Sequence, residues 1–317
     1  MKSFWLSLFV ASMVWADAHI FIYHRFNDVR YPTTNTSLQE LRNNFEYFKN
    51  NGYEVVPLAK LVNALKAKSS IPDNWVVLTI DDNYKSFYQH GFALFKEYGY
   101  PFSMFVMVEG TEKKYGDYMS WEELKEIGKF GSLEFHSYAH PHMATLSDEA
   151  LKADFDKGLA LFEKNLGFKP RYFSYPYGEF TPRVSAIAHA YGFEAILNQN
   201  TGAVASFSDP FTLDRNALVG KSDLKRYLGY KALDAQWIKP NTLLNDGGIQ
   251  SLHVNTLSKS TKGGVYISGH GYQDVTLENG VFKLPINKKA NQERTRIMVS
   301  VGNAISTKLL IIDKYIH

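Results

Sequence analysis

The sequence predicts an α/β chain that ends in antiparallel β structure: a parallel barrel or doubly wound sheet first, then a small β-sandwich. Three observations carry that expectation. Short apolar runs alternate with helical segments as far as Leu197, the pattern of parallel strands joined by crossover helices of about 10–15 residues. Three of the runs lead straight into acidic, histidine or Pro-Gly-containing stretches, where parallel α/β folds place functional groups. Beyond Pro240 the texture changes to period-two runs and Gly-Gly pairs, with no good helix, which points to antiparallel sheet.

The elements follow in order. Residues 18–24 read as a short buried strand. Thr36-Ser37 offers a cap, with Glu40 in reach, for a helix from Leu38 to Asn50, whose apolar residues Leu41, Phe45 and Phe48 share one face. Tyr53–Val56 is a strand and Leu58–Lys66 a second helix. The strongest buried strand, Trp75–Ile80, runs into Asp81-Asp82. Helices at 86–98, 121–130, 148–166 and 183–191 then alternate with strands at 102–108, 133–135, 172–175 and 194–197. In the tail, 251–256, 265–268, 275–277, 294–301 and 308–313 read as strands. The boundary falls at 232–242, giving units at 19–235 and 240–317.

Composition narrows the function. The 317 residues, 45% hydrophobic and 21% charged, suffice for one large unit and a small one. The net charge of +3 is spread without a basic stripe, so nucleic acid is not an expected partner. Lys2, the apolar stretch Phe4–Trp15 and small residues around Ala16 and Ala18 read as an export signal over residues 1–18. The stretch is too short for a membrane span and no stop-transfer segment follows. The expected location is the periplasm or the cell surface and extracellular space. With no cysteine in the chain, disulfides, thiolate ligands and a thiol nucleophile are excluded, and a metal must sit on histidine and carboxylate.

Three strand ends carry candidate chemistry. Asp81-Asp82 puts adjacent carboxylates on an extended tip, where they point in different directions and can divide two tasks; alone, such a pair also serves as a turn or cap. His136-Ser137-Tyr138-Ala139-His140 follows a buried strand, and two histidines at this spacing converge on one ion if the chain makes a helical turn capped by Ser137. Tyr172–Gly178 ends in Tyr175-Pro176-Tyr177-Gly178, where proline stiffens the turn, and a backbone N–H such as that of Tyr177 can face a developing oxyanion. Read alone, it is an ordinary aromatic strand-to-turn.

In order and rough spacing, Thr79-Ile80-Asp81-Asp82-Asn83, His136–His140 and Ser174-Tyr175-Pro176-Tyr177-Gly178 resemble the polysaccharide deacetylase family, also called NodB-homology or carbohydrate esterase family 4. The resemblance covers roughly residues 19–232. It implies a distorted, seven-stranded (β/α) barrel, with Asp81 as general base and Asp82, His136 and His140 binding a divalent metal, Zn2+ before Co2+ or Ni2+. Tyr175 and Tyr177 become the substrate and oxyanion contacts. Ile22-Tyr23-His24-Arg25-Phe26 is similar to the branch of poly-β-1,6-N-acetylglucosamine deacetylases, where the general-acid histidine comes from the first strand, implying His24. His270 in Ser268-Gly269-His270-Gly271 is the rival, set aside because it lies in the β-rich tail. Three positions depart from the pattern: Ile80 stands where Phe is usual, Asn83 where Gly is usual, and Ser174 where many members carry an arginine that steers the base. Arg215 in Leu213-Asp214-Arg215-Asn216 is the candidate to supply that charge.

The implied activity is metal-assisted removal of N-acetyl groups from an amino-sugar polymer. An O-acetyl polysaccharide esterase stays open beside it, as does a carbohydrate-binding protein with an inert barrel. The intact Asp81, Asp82, His136, His140 and His24 speak against the last.

Overall fold

The structure, a computed structural model, describes residues 17–220, 222–290, 293–313 and 315. The predicted export signal lies outside the described residues except for Asp17 and Ala18. Ala18 exchanges backbone hydrogen bonds with Val204, so cleavage after Ala16 leaves this pairing intact and cleavage after Ala18 removes it. Among the described residues no helix is long and apolar enough to cross a membrane.

Among the described residues seven parallel strands form the main path of the larger unit's sheet: β1 (His19–Tyr23), β2 (Trp75–Asp81), β3 (Ser103–Val106), β4 (Ser132–Phe135), β5 (Tyr172–Ser174), β6 (Ala195–Leu197) and β7 (Asn216–Ala217), while the pair Glu54–Val55 bonds the start of β2 in parallel off this path. Their spatial order is β7-β1-β2-β3-β4-β5-β6. The residues leading into β7 also bond β6, with the Asn198 N–H donating to Leu213 O at 2.9 Å and the Leu213 N–H to Ile196 O at 3.0 Å. The sheet therefore curls into the distorted barrel that the sequence predicts. β7 and its approach were not visible in the sequence, because two residues give no periodicity to read.

Helices α1 (Leu38–Asn50), α2 (Leu58–Lys66) and α3 (Asp148–Leu166) have the predicted limits. α1 begins with a complete capping box in which Ser37 and Glu40 satisfy each other's backbone N–H groups. The helix expected over 86–98 is split instead, into a π-helical turn at Phe87–Gly91 and an α-helix at Phe92–Tyr98. Phe26 packs against Gly91, where a Cβ would stand 2.8 Å from its ring.

β2 shows how the fold aims the site. All seven of its residues are buried, as a parallel strand covered on both faces requires. Alternation sends Val76, Leu78 and Ile80 outward into the strand–helix core, with Phe45, Phe48, Phe87 and Phe95. Trp75 and Val77 face the inner cluster, and the same period places Thr79 and Asp81 on that inward face. The strand thus delivers a carboxylate to the upper end of the barrel interior.

The C-terminal unit holds two antiparallel sheets. One has β8 (Ala235–Lys239), β9 (Gly248–Thr256) and β12 (Val281–Lys289); the other has β10 (Lys262–Ile267), β11 (Gly271–Thr276), β13 (Arg294–Val301) and β14 (Ala304–Ile311). Leu252, Val254 and Phe282 from the first sheet meet Val265, Ile297, Val299 and Leu310 from the second in one core, which makes the unit a β-sandwich. The stretch read as a boundary holds β8, and the pair Lys231–Ala232 at its start bonds β14 in parallel. β12 and the first half of β14 were missed in the sequence, their alternation being interrupted by charged and hydroxyl side chains.

Candidate active site

Asp81, Asp82, His136 and His140 converge at the C-terminal ends of β2 and β4, where parallel barrels carry their chemistry. Asp82 Oδ1 lies 3.4 Å from His136 Nε2 and 3.3 Å from His140 Nε2. One ligand atom from each of Asp82, His136 and His140 falls within 4.8 Å of the others. His136 donates its Nδ1–H to the Ser174 carbonyl at 2.7 Å. A carbonyl only accepts, so this bond fixes the tautomer of the neutral ring, the form that can ligate an ion, with its Nε2 lone pair toward the cluster. An anionic carboxylate and two imidazoles, closely spaced and without thiolates, fit a divalent ion of the zinc type.

The local backbone is unusual at these positions. Asp82 (φ 71°) and Asn83 (φ 42°) are left-handed, as are Ser137 (φ 69°) and His140 (φ 54°). Such values suit Asp, Asn and His better than Ser, and they cluster where a site dictates direction. The expected helical turn after β4 is therefore absent. The Ser137 hydroxyl does accept the His140 N–H at 2.9 Å, and Asp154 on α3 accepts the N–H groups of Tyr138 and Ala139. Asn83, where the family pattern has Gly, accepts the Met107 N–H at 2.7 Å and donates to Thr111 at 2.9 Å. Its side chain pins the loop.

Arg215, just before β7, reaches through the barrel interior to Asp81. Its Nη1 and Nη2 each lie 2.8 Å from one carboxylate oxygen, and both side chains are fully buried. Thr79 accepts from Nη1 at 3.1 Å, Asn198 O accepts from Nε at 2.7 Å, and Ser174 bonds both Arg215 and Asp81. Thr79 and Ser174 were missed as site residues; the i, i+2 relation of Thr79 to Asp81 was the available signal.

Burial and charge set the protonation states. Burial pushes the Asp81 and Asp82 carboxyls up, but Arg215 and His136 outweigh it at Asp81, and His136 and His140 at Asp82, leaving both low and ionised. Burial drives His140 down to about 4. At His136 burial is outweighed by the two aspartates, and its pKa is raised. His24 faces this cluster closely enough to feel Asp82, Asp81, Arg215 and His136, yet burial prevails and lowers its pKa. The carboxylates do not hold His24 cationic.

Two expectations are corrected in detail. Tyr175 is fully buried, stacked on Phe180 at 5.0 Å, and its N–H donates to Leu197 O; it is a core residue with no exposed surface to meet a substrate. Tyr177 is on the rim, in a left-handed conformation (φ 58°), its ring edge-on to His140 at 4.3 Å and flat on His142 at 4.1 Å. His142 thus belongs to the wall of the site. His270 is exposed in the turn after β10 and bonds the Lys289 carbonyl.

Fold and site together define a parallel α/β barrel of hydrolase type, with an arginine-held carboxylate beside a three-residue set suited to a divalent ion. Residues 68–196 match the family model described as polysaccharide deacetylase. That span contains Asp81, Asp82, His136 and His140, and leaves out His24 and Arg215. A Bacillus subtilis (strain 168) protein named for the polysaccharide deacetylases, YxkH, is 22% identical over 200 residues, 62% of this chain and 69% of that one. The poly-β-1,6-N-acetyl-D-glucosamine N-deacetylase of Escherichia coli (strain K12) is 22% identical over 242 residues, 63% of this chain but 36% of that enzyme. Among solved structures, IcaB from Ammonifex degensii superposes with a TM-score of 0.57 at 25% identity, over 67% of this chain and 94% of that one. The Streptococcus pyogenes deacetylase PplD in complex with acetate gives 0.60 at 18% identity, over 65% and 94%.

Proposed function

We propose that the chain is an exported, metal-dependent hydrolase that removes N-acetyl groups from an N-acetylglucosamine-containing polysaccharide. The observation that carries this reading is the Asp82–His136–His140 cluster set directly beside an arginine-held Asp81. The relatives named for poly-β-1,6-N-acetyl-D-glucosamine deacetylation support the amide and the amino sugar.

Asp82, His136 and His140 are the ligands. A divalent ion there supplies Lewis acidity to the acetyl carbonyl and to the attacking water. Asp81, kept ionised by Arg215, takes the proton that the water gives up as its oxygen bonds the carbonyl carbon; Oδ1 keeps a lone pair beyond its bond to the guanidinium, while Oδ2 is shared by Arg215 and Ser174. The Tyr177 N–H serves the developing oxyanion. When the C–N bond breaks, acetate leaves and the sugar amine needs a proton. His24, neutral at rest beside both carboxylates, is the group to receive the proton that Asp81 took from the water and pass it to the amine.

The test is acetate release from β-1,6- and β-1,4-linked N-acetylglucosamine oligomers and from acetylated xylan, with Zn2+, Co2+ or Ni2+ added, or with chelator. Chelator-sensitive release from an N-acetylglucosamine oligomer is expected. Release from the xylan alone transfers the reading to an O-acetyl esterase, and no release from any of them defeats it.

A further inference from the structure

The C-terminal β-sandwich reaches the rim of the candidate active site through one buried carboxylate. Glu179, on the loop after β5, has a side chain only 5% exposed and accepts from two partners. His142 Nδ1 lies 2.8 Å from one oxygen, and Arg294 Nη1, at the start of β13, lies 3.0 Å from the other. The bond fixes the plane of His142, which lies parallel to Tyr177 within 8°. Tyr177 in turn stands edge-on to the metal-site histidine His140. A flat ring stack therefore leads outward from the cluster and is braced from the other unit.

Beyond that stack lies a cavity of about 350 Å³, walled by His142, Glu179, Glu293, Arg294, Ala144 and Ile311. Small-molecule sites run from about 300 to 1,000 Å³. One face of the His142 ring is covered by Tyr177, and the side chain is still 54% exposed. The wall mixes a flat imidazole and aliphatic groups with carboxylates and a guanidinium. A simple anion would meet Glu179 and Glu293, and a simple cation would meet Arg294. A neutral polyhydroxyl ring suits all of them, with apolar C–H faces for His142 and Ile311 and hydroxyls for Glu293 and Arg294.

We propose that this cavity is a sugar subsite, taking a pyranose ring of the polymer a short way along the chain from the ring being deacetylated. The proposal rests on the deacetylase reading, and it makes the β-sandwich part of the substrate cleft. Its test is acetate release by the full chain from N-acetylglucosamine oligomers of increasing length. In the unaltered protein KM is expected to fall as the oligomer grows. His142→Ala and Arg294→Ala should each raise KM for the longest oligomer roughly three- to tenfold, with the loss on KM more than on kcat. His142→Phe, which keeps a flat face, should recover most of it. An active enzyme whose KM is the same in all three variants, at every length, overturns the subsite. If the unaltered protein releases no acetate, the deacetylase reading fails by itself. Calorimetric titration with the same oligomers then decides the subsite: binding weakened by His142→Ala supports it, and unchanged or undetectable binding overturns it.

Discussion

Arg215 grips Asp81 with two parallel hydrogen bonds of 2.8 Å, across 134 positions of sequence and inside the barrel, where neither side chain meets water. A planar fork matched to a carboxylate in this way holds both charge and direction. Removing Arg215 leaves Asp81 buried without a counter-charge, a loss of roughly 3–5 kcal/mol in such settings. Arg215→Ala is therefore expected to lower the denaturation midpoint clearly. Arg215→Lys should not restore it, because an ammonium cannot make the paired contact. A wild-type midpoint for either variant would show that the pairing is not needed.

With Asp81 as the proposed base, the same contact is expected to set the acid side of the pH profile. Burial alone raises the Asp81 pKa, and Arg215 is the first of the groups that pull it below the ordinary carboxylate value. A base with a low pKa stays ionised as the solution is acidified. Among Arg215 variants that fold, the acid limb of kcat/KM should move to higher pH, and activity at neutral pH should fall about a hundredfold, as general-base losses do. An acid limb in the same place would mean that another group is the base.

Asp82, His136 and His140 should lose the ion and the activity together. For Asp82→Ala and His136→Ala, calorimetric titration with Zn2+ is expected to show binding weakened beyond detection, and acetate release at the chelator-treated level. Asp81→Asn should bind the ion as the unaltered protein does and still fail to turn over. Near-normal turnover by metal-loaded Asp81→Asn would remove Asp81 from its role.

The end of β2 was legible because a parallel strand covered on both faces reads as a nearly continuous apolar run, here Trp75–Ile80 leading into Asp81-Asp82, and the short Leu133–Phe135 stretch leads straight into His136. The two histidines and two aspartates follow from those ends. His142 was not legible as part of the wall, since its place depends on Glu179 and Arg294, which are 115 residues apart. Tyr175 misled for a related reason. Adjacent residues at a strand end face opposite ways, and the motif alone does not say which aromatic turns into the core. The export signal stays an expectation from the sequence.

His19, on β1 far from the cluster, gives a separate pH test. Burial, aided by Lys231, lowers its pKa from 6.5 to about 4, and its Nδ1 is enclosed without a partner. Between those values the unfolded chain binds a proton that the folded chain refuses, so stability must fall as pH drops from about 6.5 to 4 and level off below. The full shift corresponds to about 3 kcal/mol. His19→Phe should flatten that part of the stability curve, as read by urea denaturation at a series of pH values. An unchanged slope would assign the acid sensitivity elsewhere.

Asp313 ties the two units from the far end of the sandwich. Its buried carboxylate accepts from Thr181 and from Arg183, whose Nη2 is 3.1 Å away, while Arg183 also bonds Asp148 at 2.8 Å. Beside it Ala144 packs against Leu309 and Ile311. The contact joins α3 and the loop after β5, which carry Asp154 and Glu179, to the sandwich that carries Arg294. Loosening it should therefore reach the cleft without touching a ligand. Asp313→Ala strands Arg183 beside a vacated pocket and is expected to cost about 2–4 kcal/mol. It should also raise KM for long oligomers more than for short ones, because Arg294 and His142 lose their register while Asp81 and the ion-binding set keep theirs. A destabilised variant whose KM is raised equally at all lengths would separate the two effects and leave the tie purely structural.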